Sequence, residues 1–186
     1  MSNNEYFHGK IINGGELDSV AKKRAKNYYE IKVKRELKEE YLQNRWSVKR
    51  FLKDDVILMR NKKHDELLED QIWLLFKNMG FKEMNADRNF KMQAGPIQKQ
   101  IDIFARDGNN VFVIECKSLE VIGPRSLRKD VHEFLSLRKE LIKSIRENYK
   151  QKMRITFLFV TKNIIWNDGD RDLIKINGTN QFFSWD

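Results

Sequence analysis

Apolar positions along this chain follow helical spacing in some stretches and run continuously or alternate in others. Leu67, Leu68, Ile72, Leu75, Phe76 and Met79 recur every three or four residues, which predicts an amphipathic helix over residues 65–79 with Gly80 as its stop. Leu127, Val131, Phe134, Leu135, Leu141, Ile142 and Ile145 predict another from about Ser126 to about Tyr149, after a break at Gly123-Pro124. Residues 17–42 hold neither Gly nor Pro, and Leu17, Val20, Ala21, Ala25, Tyr28, Ile31, Leu37 and Tyr41 recur at an imperfect helical spacing. This predicts one long helix, broken near residues 31–33. Residues 46–60 read as extended or irregular, anchored by Trp46, Val48, Phe51, Val56, Ile57 and Leu58. Two strands, 99–106 and 111–118, flank the hairpin turn Asp107-Gly108-Asn109-Asn110. The run Arg-Ile-Thr-Phe-Leu-Phe-Val-Thr over residues 154–161 is apolar and rich in β-branched residues, as a buried central strand requires. A short helix or loop at 170–174 and a last strand near 181–185 complete the order.

That order is helix, hairpin, helix, buried strand. It predicts an α/β domain with a mixed sheet, in which strand 154–161 follows a helical crossover and lies parallel to one hairpin strand. With 186 residues, 40% of them hydrophobic, the chain can bury a core as one domain, or as a domain with an appendage. No apolar run approaches the ~18 residues of a membrane span. The N-terminus lacks the basic-then-apolar pattern of a signal peptide. Cys116 is the single cysteine, so no intrachain disulfide forms, and the cytoplasm is the expected compartment.

Charge changes this picture. The net is +9, and residues 1–63 hold 16 Lys and Arg against 9 Asp and Glu, while residues 64–186 hold 20 against 18. The excess therefore sits in the first third, which reads as a basic, partly helical extension (1–63) ahead of a main domain (64–186). Lys22, Lys23, Arg24, Lys26, Lys32, Lys34 and Arg35 are its candidate phosphate contacts.

The hairpin carries the candidate chemistry. Glu115 and Lys117 share a strand face and Cys116 points away from them. Pairing through the turn sets Glu115 opposite Asp102. Two carboxylates this close repel each other, a divalent cation removes the repulsion, and Mg²⁺ takes oxygen ligands of this kind. Lys117 beside them can hold a metal-activated water or stabilise transition-state charge. Gln100 shares a face with Asp102, and Ser118 lies beyond Lys117; both are candidate phosphate contacts. Cys116 reads as a small buried hydrophobe. His8, His64 and His132 show no metal spacing, and no phosphate-loop or His-Glu-x-x-His motif is present.

Asp102 followed by Glu115-Cys116-Lys117 resembles the motif of the PD-(D/E)xK, or restriction-endonuclease-like, nuclease superfamily, with Ile101 where the motif has proline. Within it, the helix Leu68-Glu69-Asp70-Gln71-Ile72-Trp73-Leu74-Leu75-Phe76 leading to Met79-Gly80-Phe81 is similar to the Mrr-like group. Glu69 takes the helix Glu position, with Asp70 as an off-by-one rival. Many Mrr-like proteins have Gln-x-Lys where this chain has Glu-x-Lys. The likeness covers roughly residues 65–165.

The resemblance implies a mixed central sheet flanked by helices and metal-dependent hydrolysis of DNA, in restriction or defence against foreign DNA. Asp102, Glu115 and the Cys116 carbonyl would hold Mg²⁺, with Mn²⁺ as a substitute. Lys117 would position the nucleophile, and Glu69 would complete the site or hold a second ion. A silent DNA-binding module and a junction-resolving or repair nuclease are the alternatives. Cutting two strands calls for two sites, so a homodimer is compatible. The apolar final residues suggest a further domain beyond Asp186.

Overall fold

The computed structural model describes residues 5–176 and 182–185. It is a mixed α/β structure built around a six-stranded sheet. The chain opens with two short strands, β1 (Phe7–His8) and β2 (Ile11–Asn13), and a helix, α1 (Gly15–Arg24). Next come β3 (Tyr28–Lys34), a 3-10 turn and α2 (Lys38–Gln43), then β4 (Ser47–Phe51) and β5 (Asp55–Asn61). Helix α3 (His64–Asn78) is followed by β6 (Glu83–Asn85), β7 (Lys91–Ala94), β8 (Ile97–Gln100), β9 (Ile103–Asp107) and the long β10 (Asn110–Pro124). Helices α4 (Arg128–Ser136) and α5 (Arg138–Tyr149) cross over to β11 (Arg154–Ile165), and α6 (Asp168–Ile176) and β12 (Phe182–Trp185) follow.

The central sheet runs β12-β11-β10-β9-β6-β2. Strand β10 lies parallel to β11, with Val113 opposite Phe157, and antiparallel to β9, with Asn110 opposite Asp107. Both its faces are covered, which is why it tolerates so few polar residues. On one face Leu68, Ile72, Trp73 and Phe76 of α3 meet Ile103, Ile114, Cys116, Leu158 and Val160. On the other, Leu127, Val131, Phe134, Leu141 and Ile145 of the crossover helices meet Val111, Val113, Phe157 and Phe159. A small sheet, β1-β7-β8, packs beside α5, where Ser144 Oγ donates to the Gln93 carbonyl at 2.5 Å.

Several expectations are corrected. Residues 17–42 do not form one helix. Tyr28, Ile31 and Val33 belong to β3, where Tyr29, Ile31 and Val33 face one way and Tyr28, Glu30, Lys32 and Lys34 the other. Ile31 and Val33 stand opposite Leu58 and Val56, both fully buried, and that packing outweighs the missing Gly and Pro. Residues 99–106 are not one strand: the chain leaves β8 at Gln100 and enters β9 at Ile103, in a different sheet. The helix 126–149 is two helices joined at Leu137. Gly123-Pro124 ends β10 after a register irregularity that follows Ser118.

Nor are residues 1–63 a single appendage. Strand β2 pairs with β6 at the edge of the central sheet, and Phe7 lies in the core against Phe90 and Phe104. Gly9, at φ +125°, lets the chain pass there: a Cβ would come within 3.2 Å of the Phe90 Cα. Only β3, β4 and β5 form a separate antiparallel sheet, in the order β3-β5-β4. Among the described residues no helix is long and apolar enough to cross a membrane.

Candidate active site

Strands β9 and β10 part company after the pair Ile103–Ile114. Asp102, one residue before β9, fills the gap with its side chain: Oδ2 accepts the Cys116 N–H at 2.8 Å. The hairpin register predicted from the turn is the one observed, yet Asp102 and Glu115 meet beyond the last paired residues. Asn85, fully buried, fixes this corner. Its Nδ2 donates to the Asp102 carbonyl at 3.1 Å, its Oδ1 accepts the Phe104 N–H at 3.0 Å, and its own carbonyl accepts the Trp73 indole N–H at 2.9 Å. Asn85 thus ties α3 and β6 to the start of β9. No motif pointed to it.

Glu115 Oε1 accepts from Lys117 Nζ at 2.8 Å, so these two share a face as the alternation requires. Lys117 Nζ also lies 3.7 Å from Asp130 of α4, a carboxylate that belongs to no motif in the sequence. Burial, then the charges of Glu115 and Glu69, push the Asp102 carboxyl up to about 8. Burial also raises Glu69, with Arg88 pulling the other way. Burial works against the Lys117 ammonium, but Glu115, Asp102 and Asp130 outweigh it and hold its pKa above the ordinary lysine value. The Cys116 thiol is raised by burial and by the surrounding carboxylates, which suits a packing role.

Do these residues suit a divalent cation? Among the described residues no three His, Cys, Asp or Glu side chains close around one point. Mg²⁺ does not need that: it keeps several waters and is held through one or two carboxylates. Asp102 Oδ1 and Glu115 Oε2 take no hydrogen bond from a described residue. The Cys116 N–H points to the Asp102 side, and in a strand a residue's C=O points the same way, so this carbonyl opens toward the same gap. Two carboxylates, a carbonyl and mutual repulsion make a donor set that fits a hard cation.

The helix carboxylates divide their roles. Glu69 bears on Asp102 and is held by Arg88 Nε at 2.7 Å. Asp70 lies in a buried ion cluster, 2.8 Å from Arg24 Nη1, 2.6 Å from Lys62 Nζ and 2.6 Å from Arg88 Nη2. Arg24, expected on phosphates, is therefore withdrawn into the core. The other expected contacts, Lys22, Lys23, Lys26, Lys32, Lys34 and Arg35, are exposed. Lys32 and Lys34 flank Asp55 at 2.8 and 3.0 Å, and Arg35 bonds the Leu52 carbonyl. Gln100 pairs with Lys91 in the small sheet, so the shared face with Asp102 does not arise. Ser118 is buried on the Cys116 face, its Oγ without a partner, and does not present itself to a phosphate beside Lys117.

No known protein family and no curated protein matches the chain. Solved structures similar to it include the protein of unknown function AF1548, at 15% identity and a TM-score of 0.49, covering 63% of this chain and 56% of that one. Protein VC1899 from Vibrio cholerae is 12% identical with a TM-score of 0.45, covering 92% and 47%. Can2 from Sulfobacillus thermosulfidooxidans, solved in complex with cyclic tetra-adenylate, is 9% identical with a TM-score of 0.48, covering 94% and 54%. The chain spans about half the length of these structures.

Proposed function

We propose that this chain is a metal-dependent DNA endonuclease of the PD-(D/E)xK type, similar to the Mrr-like group and acting in restriction or defence. The observation that supports this best is the Asp102 carboxylate, pinned to the Cys116 N–H where β9 leaves β10, beside the Glu115–Lys117 pair. In this reading Asp102, Glu115 and the Cys116 carbonyl would hold Mg²⁺, or Mn²⁺ in its place, and Glu69 would complete the acidic surround. A bound cation supplies Lewis acidity and a water of lowered pKa. Lys117 would position the attacking water, and its charge would offset the charge gained by the phosphate. Asp130 and Glu115 keep its ammonium protonated and aimed.

The test is cleavage of a supercoiled plasmid with Mg²⁺ and with EDTA. Lys117→Ala and Asp102→Ala, each shown to be folded by circular dichroism, should cut at least ~10²-fold more slowly, the scale of losing one charge-stabilising group. Wild-type rates in either variant would remove the assignment. The second reading is a silent DNA-binding module, since among the described residues only Asp102 and Glu115 offer carboxylates at the strand corner and a cation there would rely on waters. That reading predicts DNA binding with no Mg²⁺-dependent cleavage on linear, methylated or branched substrates.

A further inference from the structure

The sheet β3-β5-β4 has one face covered and one open. On the covered face Leu58 and Val56 are fully buried. The open face carries Tyr28, Glu30, Lys32 and Lys34 of β3, with Ile57 and Asp55 opposite Lys32 and Lys34 on β5. Arg50 of β4 stands opposite Ile57 from the other side. Between this face and the end of α1 lies a groove of about 400 Å³, lined by Lys23, Lys26, Tyr28, Lys32 and Ile57 among others. Lys49 lies 4.8 Å and Lys26 5.6 Å from the centroid of the Tyr28 ring. The acids here are Glu30, paired with Lys49 at 2.8 Å, and Asp55, paired with Lys32 and Lys34. Six cations (Lys23, Lys26, Lys32, Lys34, Lys49, Arg50) against these two acids leave a local excess of positive charge.

We propose that this groove binds the phosphodiester backbone of a DNA strand, laid along β3 with Tyr28 against a sugar or base. Lysines in a row beside a partly exposed aromatic ring are the combination that tracks a nucleic-acid strand without reading its sequence. A membrane surface would ask for exposed apolar side chains among the lysines, but Ile57 is half-buried and the exposed Phe51 stands opposite Val56, on the other face. An acidic peptide would give the ring nothing to stack on.

Strand β3 meets the candidate cutting site from its other face, where the Tyr29 hydroxyl accepts from Arg88, whose Nε holds Glu69. The proposal rests on the nuclease reading only for calling the bound strand a substrate.

The experiment is equilibrium binding of fluorescein-labelled 20-mer duplex and single-stranded DNA by anisotropy, in EDTA, over a range of salt. The main variant is Lys23→Ala/Lys26→Ala/Lys32→Ala, in which Glu30 keeps Lys49 and Asp55 keeps Lys34, so each acid retains a partner. Its affinity should fall at least roughly tenfold, and its log K against log salt slope should become shallower by about 2–3 on duplex, near 0.9 per lost contact. Tyr28→Ala should weaken binding several-fold with the slope unchanged, because the ring carries no charge, and Tyr28→Phe should bind as wild type. Wild-type affinity and slope in the triple variant on both DNAs would overturn the proposal. So would competition by polyglutamate as strong as by unlabelled DNA. Binding in EDTA is read without cleavage: a cutting enzyme whose triple variant binds normally loses the groove alone, and one that binds through the groove but never cuts loses the nuclease reading alone.

Discussion

Asp70→Asn tests how much the buried ion cluster contributes. The substitution keeps shape and removes the one negative charge shared by Arg24, Lys62 and Arg88, at 2.8, 2.6 and 2.6 Å. The Arg24, Lys62 and Asp70 side chains are only 5%, 1% and 2% exposed, so water cannot replace the lost carboxylate. Breaking a buried pair by removing one partner costs ~3–5 kcal/mol, because the other charge stays buried and uncompensated. Two cations keep other acceptors: Lys62 bonds the carbonyls of Lys23 and Arg24, and Arg88 holds Glu69 and the Glu66 carbonyl. Among the described residues Arg24 is left with the Trp73 ring, 5.0 Å from its guanidinium carbon, and the more distant charge of Glu69, and its Nε has no partner. The expected loss is therefore about 3 kcal/mol, the low end of that range. With a urea m-value of about 2 kcal/mol/M, the midpoint should fall by about 1.5 M.

Asp55→Asn supplies the contrast. Asp55 bridges two lysines at the same kind of distance, but their side chains are 62% and 60% exposed. Its unfolding midpoint should match wild type within the error of the fit. Arg24→Met should cost less in the Asp70→Asn background than in the wild type, since both remove the same interaction. Equal midpoint shifts for Asp70→Asn and Asp55→Asn would refute the argument that burial decides the size of the effect.

Other expectations follow from the acidic corner. Burial and the neighbouring Glu115 and Glu69 charges push the folded Asp102 carboxyl up to about 8, from the ordinary 3.8, so between those values the folded state holds the extra proton. Stability in EDTA should therefore fall as pH rises from about 4 to 8, and Asp102→Asn should flatten that part of the profile, read as urea midpoints at several pH values. Asn85→Ala leaves the Phe104 N–H and the Asp102 carbonyl unpaired in the core, costing about 2–4 kcal/mol, and should weaken Mg²⁺ binding measured by calorimetry. Cys116 should react with a thiol reagent in urea far faster than in the native protein, and Cys116→Ala should retain cleavage; a native thiol as reactive as the unfolded one would contradict its burial.

The features readable in the chain are those with a short-range cause. The turn at Asp107–Asn110 sets the pairing of β9 with β10 because its residues lie between the strands they join. The run 154–161 declares itself buried because no charged residue interrupts it after Arg154, and it lies parallel to β10 as a helical crossover requires. The α3 stripe needs only a periodicity of three to four. From these alone Asp102, Glu115 and Lys117 could be brought to one corner. What the linear pattern misread had a distant cause. β3 is a strand because Ile31 and Val33 find Leu58 and Val56 some two dozen residues later, and no local propensity reports that partner. Arg24 is withdrawn from the surface because Asp70 waits beneath it with Lys62 and Arg88, three cations drawn from separate segments. Asn85 matters because Asp102, Phe104 and Trp73 meet around it. Periodicity and turn chemistry act within a few residues and leave their mark on the chain. Burial and ion pairing act across space, so only the folded arrangement decides which basic residues stay on the surface and which become part of the core.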